Sequence, residues 1–225
     1  MRPVAAGFVD CFSRPLAISG VAAADLCTWL ALRTGLSATR GHGLSAIAVA
    51  LALTLLIGRA WRALALAVAL PAVVSGRWPM PAPTLRRASR ILALDLLEGT
   101  LLGTLALAAG VAVGSSTEAR GLALTIALFM APMLLLGFIA FGTFRVATLE
   151  VAVAGAPAHL AIGRAFSMVL CRPRELLSLQ SWLSLGALPL GLAALLARAA
   201  LPAALAAAAV ALWGYAALGR VRWQE

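Results

Sequence analysis

Long apolar runs constrain this chain more than any other feature of its sequence. A helix needs about 20 consecutive apolar residues to cross the roughly 30 Å hydrocarbon core of a bilayer, and several stretches reach that length. Of the 225 residues, 63% are hydrophobic and only 12% are charged, with a mean hydropathy of +0.99. Soluble domains are about half apolar and about one quarter charged. We therefore predict an all-α, polytopic membrane protein.

Six runs are long enough to form transmembrane helices, and together they make residues 1–225 one integral membrane domain. They are Pro15–Leu32, Leu44–Gly76, Ile91–Val113, Leu122–Gly142, Leu176–Ala197 and Pro202–Leu218. The second run is interrupted by Arg59 and Arg62, but it contains no turn at which it could be divided. We predict one long helix there, tilted or kinked near Gly58 or Pro71.

The first run could also be read as a secretory signal peptide. Arg2 and Arg14 precede it, and its first part, Pro15–Ala24, ends in small residues. The apolar stretch resumes after Asp25, however, so that the whole run is long enough to span the bilayer. We predict that it is retained as the first transmembrane helix.

The arginines indicate how the helices are oriented. All 18 basic residues are arginine, and twelve of them fall on the side of the membrane that holds both termini, against four on the other. The positive-inside rule then places both termini in the cytoplasm. A composition rich in Ala, Gly, Leu, Arg and Pro indicates a GC-rich bacterial genome, so we predict the bacterial inner membrane. The formal charge of +10 lies in short connections, which favours contact with anionic lipid over nucleic acid.

Three segments of similar sequence indicate an internal repeat. They are Cys-Phe-Ser13-Arg-Pro-Leu16, Arg-Ala-Ser89-Arg-Ile-Leu92 and Ala-Phe-Ser167-Met-Val-Leu170, and their serines are 76 and 78 residues apart. Each segment precedes an odd-numbered span. We predict a triplicated unit in which a short interfacial helix is followed by a helical hairpin.

Two of these segments have the amphipathic pattern of a helix that lies in the headgroup region. In the third copy, Ile162, Phe166, Val169 and Leu170 share one face, and Arg164 and His159 lie away from it. In the second copy, Leu85, Ala88 and Leu92 stand against Arg86, Arg87 and Arg90. We predict a separate interfacial helix at each.

The third copy and its surroundings resemble a known family. The motifs are Thr148-Leu-Glu150, then Ala161-Ile-Gly-Arg-Ala-Phe-Ser167, then Leu170-Cys-Arg-Pro-Arg-Glu-Leu-Leu177, and the region from Ala67 to Leu97 is also similar. The pattern resembles the glycerophosphoryl diester phosphodiesterase membrane-domain family and related six-span bacterial proteins. The resemblance implies a six-helix membrane domain without chemistry of its own, because the phosphodiesterase activity belongs to a separate soluble domain in members that have one.

Ionisable side chains inside the spans are the first candidates for function. Each costs about 2.5–3.5 kcal/mol to place at the centre of a membrane helix. The candidates are Asp25, Arg59, Arg62, Asp95 and Glu98. They could form a polar path between the first three spans. Alternatively, Asp25 could form a structural ion pair with Arg59 or Arg62, while Asp95 and Glu98 pair with Arg86, Arg87 or Arg90. The alternative in which the stems of Arg59 and Arg62 extend to the membrane interface also remains open.

A second set of charged residues flanks the third amphipathic segment. It consists of Glu150, Arg164, Arg172, Arg174 and Glu175. Glu150 near Arg145, and Glu175 near Arg172 and Arg174, could fix this segment to the adjoining spans. The basic residues could equally bind anionic lipid headgroups.

The sequence offers no catalytic, cofactor or metal-binding constellation. His42 and His159 lie in different compartments on the predicted topology, so neither a zinc site nor a Ser-His-Asp arrangement can be assembled. Cys11, Cys27 and Cys171 form no CxxC pair and are interpreted as small apolar side chains. Gly99-xxx-Gly103 and Gly110-xxx-Gly114 could allow close helix contacts, within the bundle or in a homo-oligomer.

Two functional interpretations therefore remain. In the first, the chain is a non-catalytic membrane module that acts as a scaffold or as the partner of another envelope protein. In the second, it is a transporter or lipid-handling component with a polar path between the first three helices. We favour the first from the sequence, because no catalytic group and no soluble domain is evident.

Overall fold

The computed structural model describes residues 2–38, 43–76, 78–79, 81–114, 131–183, 185 and 200–223. Every regular element within these ranges is a helix. In chain order they are α1 (Arg2–Phe12), α2 (Pro15–Ala38), α3 (Leu44–Ser75), α4 (Pro81–Gly114), α5 (Ala131–Ala154), α6 (Ala158–Cys171), α7 (173–183) and α8 (Ala200–Trp223). The prediction of an all-α membrane fold is confirmed at this level.

Five of the described helices are long and apolar enough to cross a bilayer, namely α2, α3, α4, α5 and α8. They cover the first, second, third and sixth predicted spans and part of the fourth. The second is one continuous helix that contains Pro71, as predicted. Most of the predicted fifth span, Leu176–Ala197, lies outside the described residues, so the number six remains a prediction.

The predicted end of the fourth span is wrong. The part of Leu122–Gly142 up to residue 130 lies outside the described residues, but α5 continues beyond Gly142 to Ala154. The segment that is long and apolar enough to span is Leu135–Ala154. The helix does not need to end at the charged residues Arg145 and Glu150, because Glu150 forms ion pairs and Arg145 stacks on aromatic rings within the bundle.

The predicted interfacial helix of the second copy does not exist as a separate element. Residues 85–90 belong to the first turns of α4, which runs unbroken from Pro81. In the first and third copies, by contrast, an Arg-Pro pair (Arg14-Pro15 and Arg172-Pro173) separates a short helix from the next. Proline disfavours helical geometry in the residue before it and lacks an N–H group, so it ends the preceding helix and begins the next. The three-fold repeat stays a prediction.

The helix α3 lies at the centre of the described bundle, where it contacts α2, α4, α5 and α8. The short helix α1 packs along α8. At their crossing, a Cβ atom on Gly7 would lie 2.6 Å from the backbone nitrogen of Ala217, so only glycine allows this approach. The indole of Trp213 donates a 2.8 Å hydrogen bond to the carbonyl of Val4. The two terminal helices are thus joined at one end of the bundle.

The face that α6 buries differs from the one that its large apolar residues suggest. Its buried residues are Ala161, Ala165 and Val169, which form a narrow stripe on a helix that packs chiefly against α5. Phe166 and Leu170 are exposed. Small side chains let two helices approach closely. The bulky residues therefore remain available on another face, where an interfacial helix would meet lipid.

Candidate functional site

A polar cavity of about 180 Å³ lies between α3, α4, α5 and α8. Its charged and polar lining comes from all four helices and consists of Arg59, Arg62, Asp95, Glu98, Arg145, Thr148 and Tyr215. Four of the five intramembrane residues predicted from the sequence are therefore brought to one site. Asp25, the fifth, does not line the cavity but lies behind Arg62.

The α3–α4 wall of the cavity is held by a strong ion pair. Arg59 Nη1 donates to Asp95 Oδ2 at 2.7 Å and also to the Asp95 carbonyl at 3.1 Å. One turn further along α4, a Cβ atom on Gly99 would lie 3.2 Å from Arg59 Nη1. Because Gly99 has no side chain, the space beside it is open to the Arg59 guanidinium.

A looser pair joins α2 to α3. Arg62 Nε lies 3.6 Å from Asp25 Oδ1, which is an ion-pair distance but too long for a hydrogen bond. One helical turn away, Gly58 packs directly against the Thr28 side chain. This close crossing brings Asp25 and Arg62 within reach of each other. Arg62 Nε is itself buried and has no hydrogen-bond partner among the described residues.

Two charged residues of the cavity are not neutralised by a direct partner. Within the described part of the chain, neither Glu98 nor Arg145 forms an ion pair. The guanidinium carbon of Arg145 instead lies 4.6 Å from the ring centre of Phe141 and 5.0 Å from that of Tyr215. A guanidinium that stacks on aromatic rings keeps its N–H donors at the edge. Arg145 can therefore still bind an anionic group.

A second, apolar cavity of about 220 Å³ adjoins the first, between α5, α7 and α8. Its walls include Phe138, Phe141, Leu179, Leu183 and Leu218, with Gln180 among them. Arg145 and Tyr215 line both cavities. A polar space and an apolar space thus meet at one arginine and one tyrosine.

No family model, curated protein or solved structure matches this chain. The resemblance to the phosphodiesterase membrane-domain family remains a prediction from sequence motifs. The two cavities must therefore be interpreted from the chemistry of their own residues.

The predicted pairing of Asp95 and Glu98 with the arginines at the start of α4 is wrong. Arg90 instead donates to the carbonyls of Gly155 and Ala156, at 2.7 and 3.2 Å. Those carbonyls belong to the turn between α5 and α6, so that Arg90 fixes this turn to α4. Asp95 is turned toward α3, where Arg59 meets it.

Glu150 also has partners other than the one predicted. Arg222 Nε donates to Glu150 Oε1 at 3.1 Å, and Arg164 Nη1 lies 4.0 Å from Oε2. Arg145 does not approach it, because five residues correspond to about 140° around a helix. Glu150 therefore joins α5, α6 and α8. The pairing of Glu175 with Arg172 is confirmed at 3.9 Å.

Several cavity residues were missed by the sequence analysis, namely Arg145, Thr148 and Tyr215. Two had recognisable signals, since Tyr215 is the only tyrosine of the chain and Arg145 is a lone charge in a long apolar run. The ion pair of Asp10 with Arg220, at 2.7 Å, was missed as well. Asp10 and Arg220, like Arg145 and Tyr215, are far apart in sequence, and only the fold brings the members of each pair together.

The remaining motifs contribute less to the site. Among the described residues, no group of three metal-ligating side chains is present, and the three cysteines are free. Cys11 is buried in α1, and this burial raises the pKa of its thiol to about 12. Of the predicted glycine pairs, Gly99 faces Arg59, whereas Gly103 and Gly110 have open space beside them.

Proposed function

We propose that this chain is a multi-pass protein of the bacterial inner membrane, with both termini in the cytoplasm, that binds an amphiphilic molecule and so belongs to the lipid-handling class. The observation that carries the proposal is the junction of a polar and an apolar cavity at Arg145 and Tyr215. The charged head of the ligand would occupy the polar cavity, and its apolar chain would occupy the other.

The energetic argument begins with the cost of charges in a membrane helix. Two ion pairs offset part of that cost for Asp25, Arg59, Arg62 and Asp95. An ion pair inside a protein is weak evidence for a stabilising role, because apolar residues can often replace it without loss. Ionisable residues kept in membrane helices therefore support a functional interpretation.

The charge of the polar cavity favours an anionic or zwitterionic head. Three guanidiniums and two carboxylates line it. Asp95 already receives a hydrogen bond from Arg59, and the buried Nε of Arg62 lies 3.6 Å from Asp25, which leaves the N–H donors of Arg145 available. These donors suit a carboxylate or phosphate group. Glu98 could accept from an amine on the same head.

The second candidate is the non-catalytic module that serves as a scaffold or partner of another envelope protein. The pairing of Arg59 with Asp95 and of Arg62 with Asp25 supports it, because a purely structural role for these charges requires such pairs. We propose no chemical reaction for either candidate.

Membership in the phosphodiesterase membrane-domain family is also a proposal, supported by the motifs around Glu150 and Ser167.

Extraction of the native protein into lipid nanodiscs, followed by mass spectrometry of what co-purifies, tests the proposal. We expect one retained amphiphile whose occupancy falls about tenfold or more in Arg145→Gln, because a charge-assisted hydrogen bond is lost. Arg33→Gln is the matched control, since Arg33 also stacks on an aromatic ring, that of Trp29, but lines neither cavity. A stoichiometric protein partner without any amphiphile would instead establish the scaffold interpretation.

A further inference from the structure

A basic groove lies at the end of the bundle where the two terminal helices meet. It has a volume of about 400 Å³ and runs between α6 and the last turn of α8. Its polar lining is Arg164, Ser167, Arg172 and Arg222, and Gly163, Met168 and Cys171 contribute the remainder of the α6 wall. The groove is separate from the two cavities of the proposed function and shares no lining residue with them.

Guanidinium groups outnumber carboxylates among the described residues around this groove. Three guanidiniums line it, and two carboxylates contact them from outside. Glu150 pairs with Arg222 at 3.1 Å, and Glu175 pairs with Arg172 at 3.9 Å. Among the residues that the structure describes, no carboxylate lines the groove itself. The arginines of the lining therefore suit an anion better than a neutral molecule.

Glu150 positions two of the three arginines. Its side chain is only 4% exposed, and it is reached by Arg222 from α8 and by Arg164 from α6. Its Oε2 atom is buried without a hydrogen bond among the described residues, and Arg164 Nη1 lies 4.0 Å from it. Arg164 nevertheless remains 60% exposed. Its guanidinium can thus contact a ligand in the groove while it stays near Glu150.

The chemistry of the lining suits a phosphate group, and the exposed apolar residues of α6 favour one that belongs to a lipid. Guanidinium groups bind phosphate oxygens through paired N–H donors. The Ser167 hydroxyl proton is already donated to the Gly163 carbonyl at 3.0 Å, so the arginines supply the donors. Phe166 and Leu170 are exposed on the same short helix, where they would meet the acyl region if α6 lies in the membrane interface.

We propose that this groove binds a phosphodiester, such as that of an anionic phospholipid. A basic pocket between helices at the cytoplasmic side of a membrane protein is a recognised form of headgroup site. The same chemistry would also accept a soluble phosphate ester. This inference does not depend on an amphiphile in the inner cavities.

The first experiment uses the unaltered full chain, because Cys171 lines the groove and reports on its occupancy. The protein is placed in phosphatidylcholine nanodiscs with or without phosphatidylglycerol, and alkylation of each cysteine by N-ethylmaleimide is followed by mass spectrometry. We expect phosphatidylglycerol to slow alkylation of Cys171 about tenfold or more. Cys27 lies inside the membrane-spanning helix α2 and Cys11 is buried, so N-acetylcysteine added to the same nanodiscs is the control and should react at an unchanged rate. Equal rates at Cys171 with and without any phosphate ester would overturn the proposal.

The second experiment tests the arginines and identifies the source of the phosphate. We expect Arg164→Gln/Arg172→Gln to abolish the protection of Cys171. Arg174→Gln should retain it, because Arg174 lies two residues from Arg172 but does not line the groove. Equal loss in both variants would show general attraction to an anionic surface and would also overturn the proposal. Protection by a soluble phosphodiester, millimolar glycerophosphoglycerol, in pure phosphatidylcholine would identify a soluble ligand, and protection by phosphatidylglycerol alone would identify a lipid.

Discussion

The Arg145 guanidinium lies 5.0 Å from the ring centre of Tyr215, and these two side chains together form the boundary between a polar and an apolar cavity. Arg145 comes from α5 and Tyr215 from α8, so the boundary exists only when the two helices are packed. This relationship makes a ligand with a charged head and an apolar chain a better fit than a purely polar solute.

The ion pair of Arg59 with Asp95 should be more strongly coupled than that of Arg62 with Asp25. The first is hydrogen-bonded at 2.7 Å, whereas the second is 3.6 Å long. We expect Arg59→Gln to lower the free energy of unfolding by about 1–3 kcal/mol, because a partly buried carboxylate is left unpaired. Arg59→Gln/Asp95→Asn should recover part of that loss. Double-mutant cycles on both pairs, measured by denaturant unfolding in nanodiscs, would contradict this ranking if Arg62 and Asp25 were coupled more strongly.

Gly99→Leu should displace the Arg59 guanidinium from its place. Even a Cβ atom would lie 3.2 Å from Arg59 Nη1, and a leucine would extend further into the same space. We expect a loss of about 1–3 kcal/mol in unfolding free energy, typical of overpacking. Gly103→Leu is the matched control on the same helix, because a Cβ atom there has no neighbour within 4 Å. Similar losses in both variants would indicate a general effect of leucine on α4.

Glu150→Gln should destabilise the protein far more than Glu175→Gln. Glu150 is 4% exposed and joins α5 to α6 and α8, whereas Glu175 is 56% exposed and pairs within its own segment. We expect a loss of about 2–4 kcal/mol for the first variant, since Arg222 is left without its carboxylate. The second should change stability by less than about 1 kcal/mol. Thermal melting in nanodiscs measures both, and equal shifts in Tm would contradict the joining role of Glu150.

The thiol of Cys11 should stay protonated and unreactive over most of the alkaline range. Burial raises its pKa to about 12, against about 8.5 for an unperturbed thiol. At pH 9 the thiolate fraction should therefore be on the order of a thousandth. The thiol loses its proton at a lower pH in the unfolded chain than in the folded one. The free energy of unfolding should therefore fall as the pH rises from about 9 to 12. Alkylation of Cys11 in the folded protein at pH 9, at the rate seen after denaturation, would contradict the burial of α1 on α8.

The sequence was sufficient for the helical class and for most helix positions, because these depend on local properties. A run of apolar residues must be helical in a bilayer, since no water is present there to satisfy backbone groups. The prolines after Arg14 and Arg172 mark helix starts for an equally local reason. The unbroken helix through Arg59 and Arg62 could also be predicted, because nothing between Leu44 and Ser75 forms a turn.

The predictions that failed concern relations between helices. The sequence places Asp95 near Arg90, and Glu150 near Arg145, along the chain. In the fold, Asp95 meets Arg59 and Glu150 meets Arg222. Which side chains face each other depends on the rotation of each helix about its axis, and packing of small residues such as Gly7, Gly58 and Ala161 sets that rotation.

The sequence by itself thus determined that charged residues lie inside a set of membrane-spanning helices and which residues these are. Only the tertiary structure decided that Arg59, Glu98 and Arg145 line one cavity, and that Tyr215 joins them from a helix more than a hundred residues away from Glu98. The physical reason is that helix formation in a bilayer depends on local hydrophobicity and on hydrogen bonding of every backbone N–H and C=O group within the helix. The composition of a cavity depends instead on the register and rotation of helices that close packing of side chains fixes.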